Sequence, residues 1–337
     1  MTDAALLDVL CFGEALVDFF PATPGLPLAE VEIFHRHLGG ALANVAVGLG
    51  RLGRRVGLLT QVGRDDFGVF LRRRLAAEGV DVDTIGIHPH ARTGVTFVTL
   101  GPGGERSFLS LRYPSADQQI PPEAVDPQAV ARGQILHLGS STLAREPART
   151  ATWKALAAAR AAGRLVSVDV NLRLHLWDDR HLALQLIRDL VAQADLVKVA
   201  EDELEPLLGT SDAVAGAGML RAFGPAVAVV TLGARGAYFA APAGADTVPG
   251  LGVQAVDATG AGDAFMAGLL AHLCISGVAS GLAPIAARGP SDPAGRHLAD
   301  IDLVTLRAAC ALGNRMGAAA VTALGATTGL PPRGQAP

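Results

Sequence analysis

Asp257-Ala258-Thr259-Gly260-Ala261-Gly262-Asp263, followed by the apolar run 264–273, is the stretch on which the reading of this chain turns. It sets two glycines and an acid at the start of a helix-like segment. A helix start carries backbone N–H groups without intrahelical partners and the positive end of the helix dipole, so it attracts anions. Gly260 and Gly262 let the backbone approach such an anion closely. An aspartate there would repel a phosphate, so its presence calls for a purpose. General-base work on a hydroxyl that attacks phosphorus is one. An ordinary acidic residue in the first turn of a helix is the other, and this segment alone does not separate them.

The rest of the composition narrows the classes. The 337 residues suffice for one large domain or two modest ones, and half of them are hydrophobic, enough for a sizeable core. No segment reads as a spanning helix of ~20 apolar residues. A formal net charge of -4 without a basic block argues against nucleic acid and anionic membranes as partners. Met1-Thr2-Asp3 lacks the basic start of a signal peptide, and Cys11, Cys274 and Cys310 are scattered without metal-ligand spacing, so a reduced, cytoplasmic setting is expected. Of the 28 Lys and Arg residues only Lys154 and Lys198 are lysines, a bias that, with the abundance of Ala and Gly, fits a GC-rich genome.

Outward from the 257–263 stretch, short apolar runs (9–12, 56–60, 135–138, 166–170, 196–199 and 227–231) alternate with helix-like segments (43–52, 67–78, 148–162, 181–193 and 201–208). This alternation predicts βαβ units and a mostly parallel sheet covered on both faces. Two regions break it: the Pro/Gly-rich segment after Asp18, and 93–113 with its alternating Val95, Phe97, Val98, Leu100 and Phe108. Both predict antiparallel strands of a small separate sheet. The segment 276–295 reads as a long loop, and no linker divides the chain.

Polar residues gather where strands end. Asp169-Val170-Asn171-Leu172-Arg173, Lys198-Val199-Ala200-Glu201 and Thr231-Leu232-Gly233-Ala234-Arg235-Gly236 each follow a predicted strand, at the sheet edge where open α/β folds bind ligands. Ordinary βα turns also favour Gly, Asn and Asp. Gly39-Gly40-Ala41-Leu42-Ala43-Asn44 is a second glycine-led helix start, with Asn44 in its first turn. Gly48-Leu49-Gly50-Arg51-Leu52-Gly53 matches the dinucleotide fingerprint by letter, but it follows a helix rather than a strand and is set aside. Neither lysine stands in a P-loop context. Of the nine histidines only the pairs His35/His37 and His88/His90 have ligand-like spacing, and both sit in loop-like or edge-strand segments, so no metal site is expected there.

Taken together these segments resemble the ribokinase-like, PfkB-type carbohydrate kinases over nearly the whole chain, from about residue 10 to 331. The block 39–46 resembles that family's first signature. The stretch 257–263 resembles its second, D-[ST]-T-G-A-G-D, with Ala258 as a departure. The opening Gly13-Glu14-Ala15-Leu16-Val17-Asp18-Phe19, the segment Arg112-Tyr113-Pro114-Ser115-Ala116-Asp117, and Asp169 to Arg173 with Leu176-Trp177 are most similar to fructokinases. Kinases of 2-keto-3-deoxygluconate and of aminoimidazole riboside share much of this pattern.

The resemblance implies one Rossmann-like α/β domain over 1–337, with a small β-sheet lid from about 14–36 and 92–115. It implies ATP-dependent phosphorylation of a free sugar, D-fructose first, with Asp263 as base and the amides of Gly260, Ala261 and Gly262 as anion hole. Asp18, Gly39, Gly40, Asn44 and Arg112 would hold the sugar. Asn171, Lys198, Glu201, Thr231, Gly233, Gly236 and Asn314 would line the nucleotide side, with Glu201 orienting Mg²⁺ through water. Asp257 and Thr259, with the turn near Gly325, would be the place for K⁺, whose use stays open. A homodimer through the lid is the implied assembly. A catalytically silent sugar-binding relative is the remaining alternative, which loss of the base or the anion hole would have favoured.

Overall fold

Burial on both faces explains why the apolar runs read as unbroken hydrophobic stretches rather than alternating ones. The computed structural model describes residues 6–23, 25–100, 106–112, 114–277 and 298–335. Its strands are β1 (Leu7–Phe12), β2 (Leu16–Pro21), β3 (Phe34–Gly39), β4 (Val56–Gly63), β5 (Val80–Asp81), β6 (Ile85–His88), β7 (Val95–Leu100), β8 (Arg106–Leu111), β9 (Gly133–Gly139), β10 (Leu165–Asp169), β11 (Leu196–Ala200), β12 (Val227–Thr231), β13 (Gly236–Ala241) and β14 (Gly244–Pro249). Its helices are α1 (Ala41–Arg51), α2 (Asp66–Ala77), α3 (Pro127–Ala131), α4 (Ala148–Ala161), α5 (Arg180–Ala192), α6 (Glu201–Leu208), α7 (Ala213–Phe223), α8 (Ala261–Ile275) and α9 (Leu303–Ala320).

The main sheet runs β14-β13-β12-β11-β10-β9-β1-β4-β5, with β6 also on β4. From β12 through to β5 the pairings are parallel, whereas β13 and β14 close the far edge as an antiparallel hairpin. On one face Val9, Leu58, Ile135 and Leu165 pack with Leu49 of α1, Leu71 of α2, Leu270 of α8 and Leu306 of α9. On the other, Leu10, Leu136 and Val166 meet Ala151 and Ala155 of α4, while Val197 and Val199 meet Ile187, Leu204 and Leu220 of α5, α6 and α7. A methyl group on Gly268 would stand 2.7 Å from the Leu312 carbonyl oxygen, so α8 and α9 touch backbone to backbone. The small residues of this chain therefore do packing work in these two helices.

The small sheet has the order β3-β2-β7-β8. Its hairpin-like pairs β2–β3 and β7–β8 are antiparallel as expected, but β2 joins β7 in parallel. Phe19 stacks on Phe97 (5.3 Å, 20°) and meets Phe34 and, at 5.7 Å, Phe67 of α2 edge-on. These rings fasten the small sheet to the main body. β3 continues to Gly39, beyond the limit of 36 expected for this region. The hairpin β13–β14 and the helix α7 do not follow from the sequence pattern, whereas α9 is the helix expected beyond the 276–295 segment. β14 is half exposed and contains Gly, Ala, Asp and Pro, residues depleted in strands, so its sequence carries little strand signal. The loop expected over 276–295 lies outside the described residues from 278 onward. Among the described residues no helix is long and apolar enough to cross a membrane.

Parallel register brings the C-terminal ends of β9 to β12 to one edge: Gly139 opposite Asp169, Asp169 opposite Lys198, and Ala200 opposite Thr231. Gly48 and Gly50 lie inside α1, so the fingerprint-like spacing of 48–53 belongs to a helix end.

Candidate active site

Over this edge stands the start of α8. Its N-cap Gly260 has φ 76°, and a Cβ there would lie 2.4 Å from that of Ala326, so only glycine fits. The turn before it is built by Asp257. One carboxylate oxygen accepts the Thr259 N–H (2.9 Å) and hydroxyl (2.7 Å), and the other accepts the Gly325 N–H (2.9 Å). No side chain caps α8, and the Ala261 N–H makes only a long 3.3 Å bond to the Ala258 carbonyl. The leading amides of this helix are thus available to an anion.

Asp263, in the first turn of α8, is buried, and its Oδ2 accepts from Asn44 Nδ2 at 2.8 Å. Burial pushes its carboxyl up to about 6; the Asn44 bond works in the opposite direction, as do Lys198 and Arg173, and the Asp169 charge adds to the rise. Asn44 comes from the first turn of α1, whose start at Gly39-Gly40 passes close to Asp18 on β2. A Cβ on Gly39 would meet Asp18 Oδ2 at 2.0 Å. Burial likewise pushes Asp18 up to about 7, opposed by Arg112 and helped by Asp263, Asp257 and Glu14. Arg112, just past the end of β8, is buried and ion-paired with Asp117. Burial works against its charge, but Asp117, Glu14 and Asp18 more than compensate and hold its proton on. Glu14 accepts the Ala41 N–H at 3.0 Å and the Ser141 hydroxyl.

Two cavities open here. One, of about 440 Å³, is lined by Asp18, Gly40, Asn44, Arg112, Asn171 and Asp263, with Gly260 and Thr259 at its edge. The other, of about 650 Å³, is lined by Thr231, Gly233, Gly236, Leu251, Phe265 and Asn314, with Glu201 at its rim. They share Lys198, Ala200, Asp202, Ala258, Ala261 and Gly262. The shared wall is therefore the uncapped helix start together with a buried lysine. Lys198 Nζ lies 3.1 and 3.2 Å from the two oxygens of Asp169, and a methyl group on Gly262 would stand 2.8 Å from it. Burial would drive the Lys198 proton off, but Asp169 and Glu203 outweigh it and raise its pKa.

The residues named from sequence thus fall into two groups on either side of the uncapped start of α8. Gly39 backs the first cavity rather than lining it, and Asp257 lies behind the turn with its carboxylate engaged. Asn171, left-handed at φ 40°, turns the chain at the end of β10 and faces the first cavity, not the nucleotide side expected for it. Glu201 pairs with Arg235 at the surface. Asn314 spends both amide hydrogens on the carbonyls of Val248 (3.1 Å) and Pro249 (3.0 Å). Sequence reading missed Glu203, which is buried and accepts the N–H groups of Ala200 (2.8 Å) and Leu172, tying α6 to the turn after β10. Burial raises its pKa, partly offset by Lys198. It also missed Asp202, exposed at the junction of the cavities. The signal for Glu203 was its place three residues after the helix cap, from which an acid reaches back to the cap N–H.

The chain matches the pfkB family of carbohydrate kinases over residues 6–333. It is 40% identical over 320 residues to a fructokinase of Klebsiella pneumoniae, covering 95% of this chain and 94% of the relative. The fructokinase of Vibrio cholerae O395, solved with fructose, ADP and calcium ion bound, is 34% identical with a TM-score of 0.81 and 96% of each chain covered. The aminoimidazole riboside kinase of Salmonella enterica, complexed with aminoimidazole riboside and an ATP analogue, is 32% identical with a TM-score of 0.79, again over 96% of each chain.

Proposed function

This chain belongs to the pfkB family of carbohydrate kinases, and from that premise we propose that it transfers the γ-phosphoryl group of ATP to a hydroxyl of D-fructose. The observation that carries the reading is the meeting of two cavities at the uncapped start of α8, with a buried carboxylate beside it. Sugar occupies the smaller cavity and nucleotide the larger, so the γ-phosphoryl group comes to the shared wall. The sugar hydroxyl oxygen attacks phosphorus, Asp263 takes its proton, and the bond to the ADP oxygen breaks. The amides of 260–262 and the Lys198 ammonium face the charge on the transferring group. Asn44 fixes the orientation of Asp263.

A neutral polyol suits the smaller cavity. The buried Asn44 Oδ1 and Arg112 Nε have no hydrogen-bond partner among the described residues, one an acceptor and the other a donor. A hydroxyl satisfies either kind. Glu14, Asp18 and Asp263 outnumber the two buried cations of its lining, Arg112 and Lys198, each of which is already paired with an acid, Asp117 and Asp169, and this disfavours a carboxylate such as that of 2-keto-3-deoxygluconate. The likeness to the Salmonella riboside kinase supports aminoimidazole riboside as the second reading.

Among the described residues no group of three or more His, Cys, Asp or Glu side chains is placed to hold a metal. Asp202 and Glu201, which line the larger cavity, would be the residues that face a Mg²⁺ ion brought in with the nucleotide. When bound it neutralises phosphate charge. The Asp257 turn would be the place for K⁺, whose use the comparison with and without KCl decides. The exposed Leu109 and Leu111 of β8 support a homodimer through the small sheet, which serves as lid.

ADP release with Mg²⁺ and ATP, measured across fructose, 2-keto-3-deoxygluconate, ribose and aminoimidazole riboside with and without KCl, tests the reading. Preference for fructose is the expected result. Preference for another sugar would overturn the substrate assignment but keep the chemistry, and no turnover with any would favour a silent sugar-binding relative.

A further inference from the structure

Arg112 sits where the small sheet returns to the body, and what lies behind it decides how a sugar meets its charge. Asp117, 1% exposed, belongs to the short turn 116–119 and does not line the sugar cavity. One of its oxygens takes the Arg112 guanidinium and the other takes the Ser115 hydroxyl at 2.6 Å. The neighbouring crossing is packed against the same pair, since a Cβ on Gly94 would stand 3.1 Å from Asp117 Oδ1 and 3.4 Å from Arg112 Cγ. The two crossings are also joined by the bridge between Arg92 and Ser115 and by the Ala116 N–H bond to the Arg92 carbonyl (2.8 Å). Asp117 is thus held from several sides, and it holds Arg112 in turn.

Resting on the sugar-kinase reading above, the geometry assigns Asp117 as the residue that makes the pocket select neutral over acidic sugars. It engages the guanidinium and offsets its charge, leaving the buried Nε–H as an unpartnered donor on a residue that lines the cavity. A free guanidinium would recognise a carboxylate in a two-pronged fashion, whereas here Asp117 already takes Nη2, one of the terminal nitrogens such a fork needs. The other cation at the junction, Lys198, is engaged by Asp169, and Arg173 at the mouth is exposed. Selection here is a difference between two ligands, achieved by denying the acid its partner. Asp117 therefore acts through Arg112, as a positioning and specificity residue.

The test compares kcat/KM for fructose and for 2-keto-3-deoxygluconate in the parent, in Asp117→Asn and in the double variant Arg112→Gln/Asp117→Asn. The single substitution keeps a side-chain amide in reach of Arg112 and Ser115 but removes one negative charge. At about 6–8 Å from a ligand carboxylate and an effective dielectric near 20, that charge is worth roughly a 10- to 100-fold change in the acid-to-neutral ratio. The expected result is a ratio raised at least ~10-fold in Asp117→Asn and returned to the parental preference for the neutral sugar in the double variant. A merely structural role would lower both sugars together and leave the ratio unmoved, which would overturn the assignment. Should the single variant not fold, the double variant leaves no uncompensated charge, and a shift toward the acid sugar in it would overturn the assignment as well. Failure of the parent to phosphorylate any sugar would instead refute the function reading, and a parent that prefers the acid sugar would refute the selectivity claim directly.

Discussion

Asp263→Asn separates the two things this carboxylate does, because it should lower activity and raise stability at once. A positioned general base contributes ~10²–10⁴-fold, so turnover should fall by that factor, about 3–5 kcal/mol of transition-state stabilisation. Sugar KM should change little, because the Asn44 contact at 2.8 Å survives with a neutral partner. With the parent carboxyl raised to about 6, the parental rate should fall roughly tenfold between pH 7.5 and 5 as the base protonates, and this limb should vanish in the variant. The stability sign is opposite. A carboxyl whose folded pKa lies above its unfolded value favours folding fully only below about 4, and that contribution is lost as pH rises through about 6. The ionised group therefore costs the fold up to about 3 kcal/mol at pH 8, a cost that asparagine does not carry. Steady-state ADP release and thermal melts over pH 4–8 read both effects. The variant should melt higher at pH 8, with the difference narrowing below pH 6 and closing toward pH 4. Turnover above about a tenth of the parent would refute the base assignment. A melting point at pH 8 below the parent's would refute the burial argument.

Gly260→Ala forces a Cβ into Ala326 at a positive φ, so the turn must shift and kcat should drop by roughly 10² or more, with a strain cost of about 1–3 kcal/mol visible in a urea melt. Lys198→Met leaves Asp169 buried without its cation and should cost about 3–5 kcal/mol in the same assay; adding Asp169→Asn should recover most of the stability but none of the turnover. The nucleotide cavity offers few uncommitted side-chain hydrogen-bond groups to a base, since Asn314 spends its donors on Val248 and Pro249. Replacing ATP by ITP should therefore lower kcat/KM by less than about 200-fold, the limit of a site that reads shape, and a loss of 10⁴ would show a base-reading group. Asp18→Asn, removing a carboxyl raised to about 7, should abolish any change in sugar KM with a midpoint near that pH, measured from pH 6 to 8.

Much of this architecture was legible in the chain because parallel strands buried on both faces leave unbroken apolar runs, and glycine-led helix starts leave their own signature. The main sheet, its flanking helices, the separate small sheet and the helix start after 257–260 all follow from such local patterns. The hairpin β13–β14 did not, because its outer strand is half exposed and built of small residues. The three acids Glu201, Asp202 and Glu203 show the limit most clearly. Sequence reading chose Glu201, yet helix phase turns Glu201 out to Arg235, leaves Asp202 at the junction of the cavities and buries Glu203 against Ala200 and Leu172.

By itself the sequence determined the fold class and the presence of a glycine-led helix start with an acid in its first turn, since both depend on neighbours in the chain. Only the tertiary structure decided which groups converge there. Asn44 reaches Asp263 from 219 residues away, and the Gly325 N–H reaches Asp257 across 68. Contacts at that separation are set by the register of the parallel sheet and the packing of α1 on α8, and no local pattern encodes them. The same holds for charge. Asp18 and Asp263 are ordinary acids in the sequence, and become weak ones only because folding removes their water and sets them among other carboxylates.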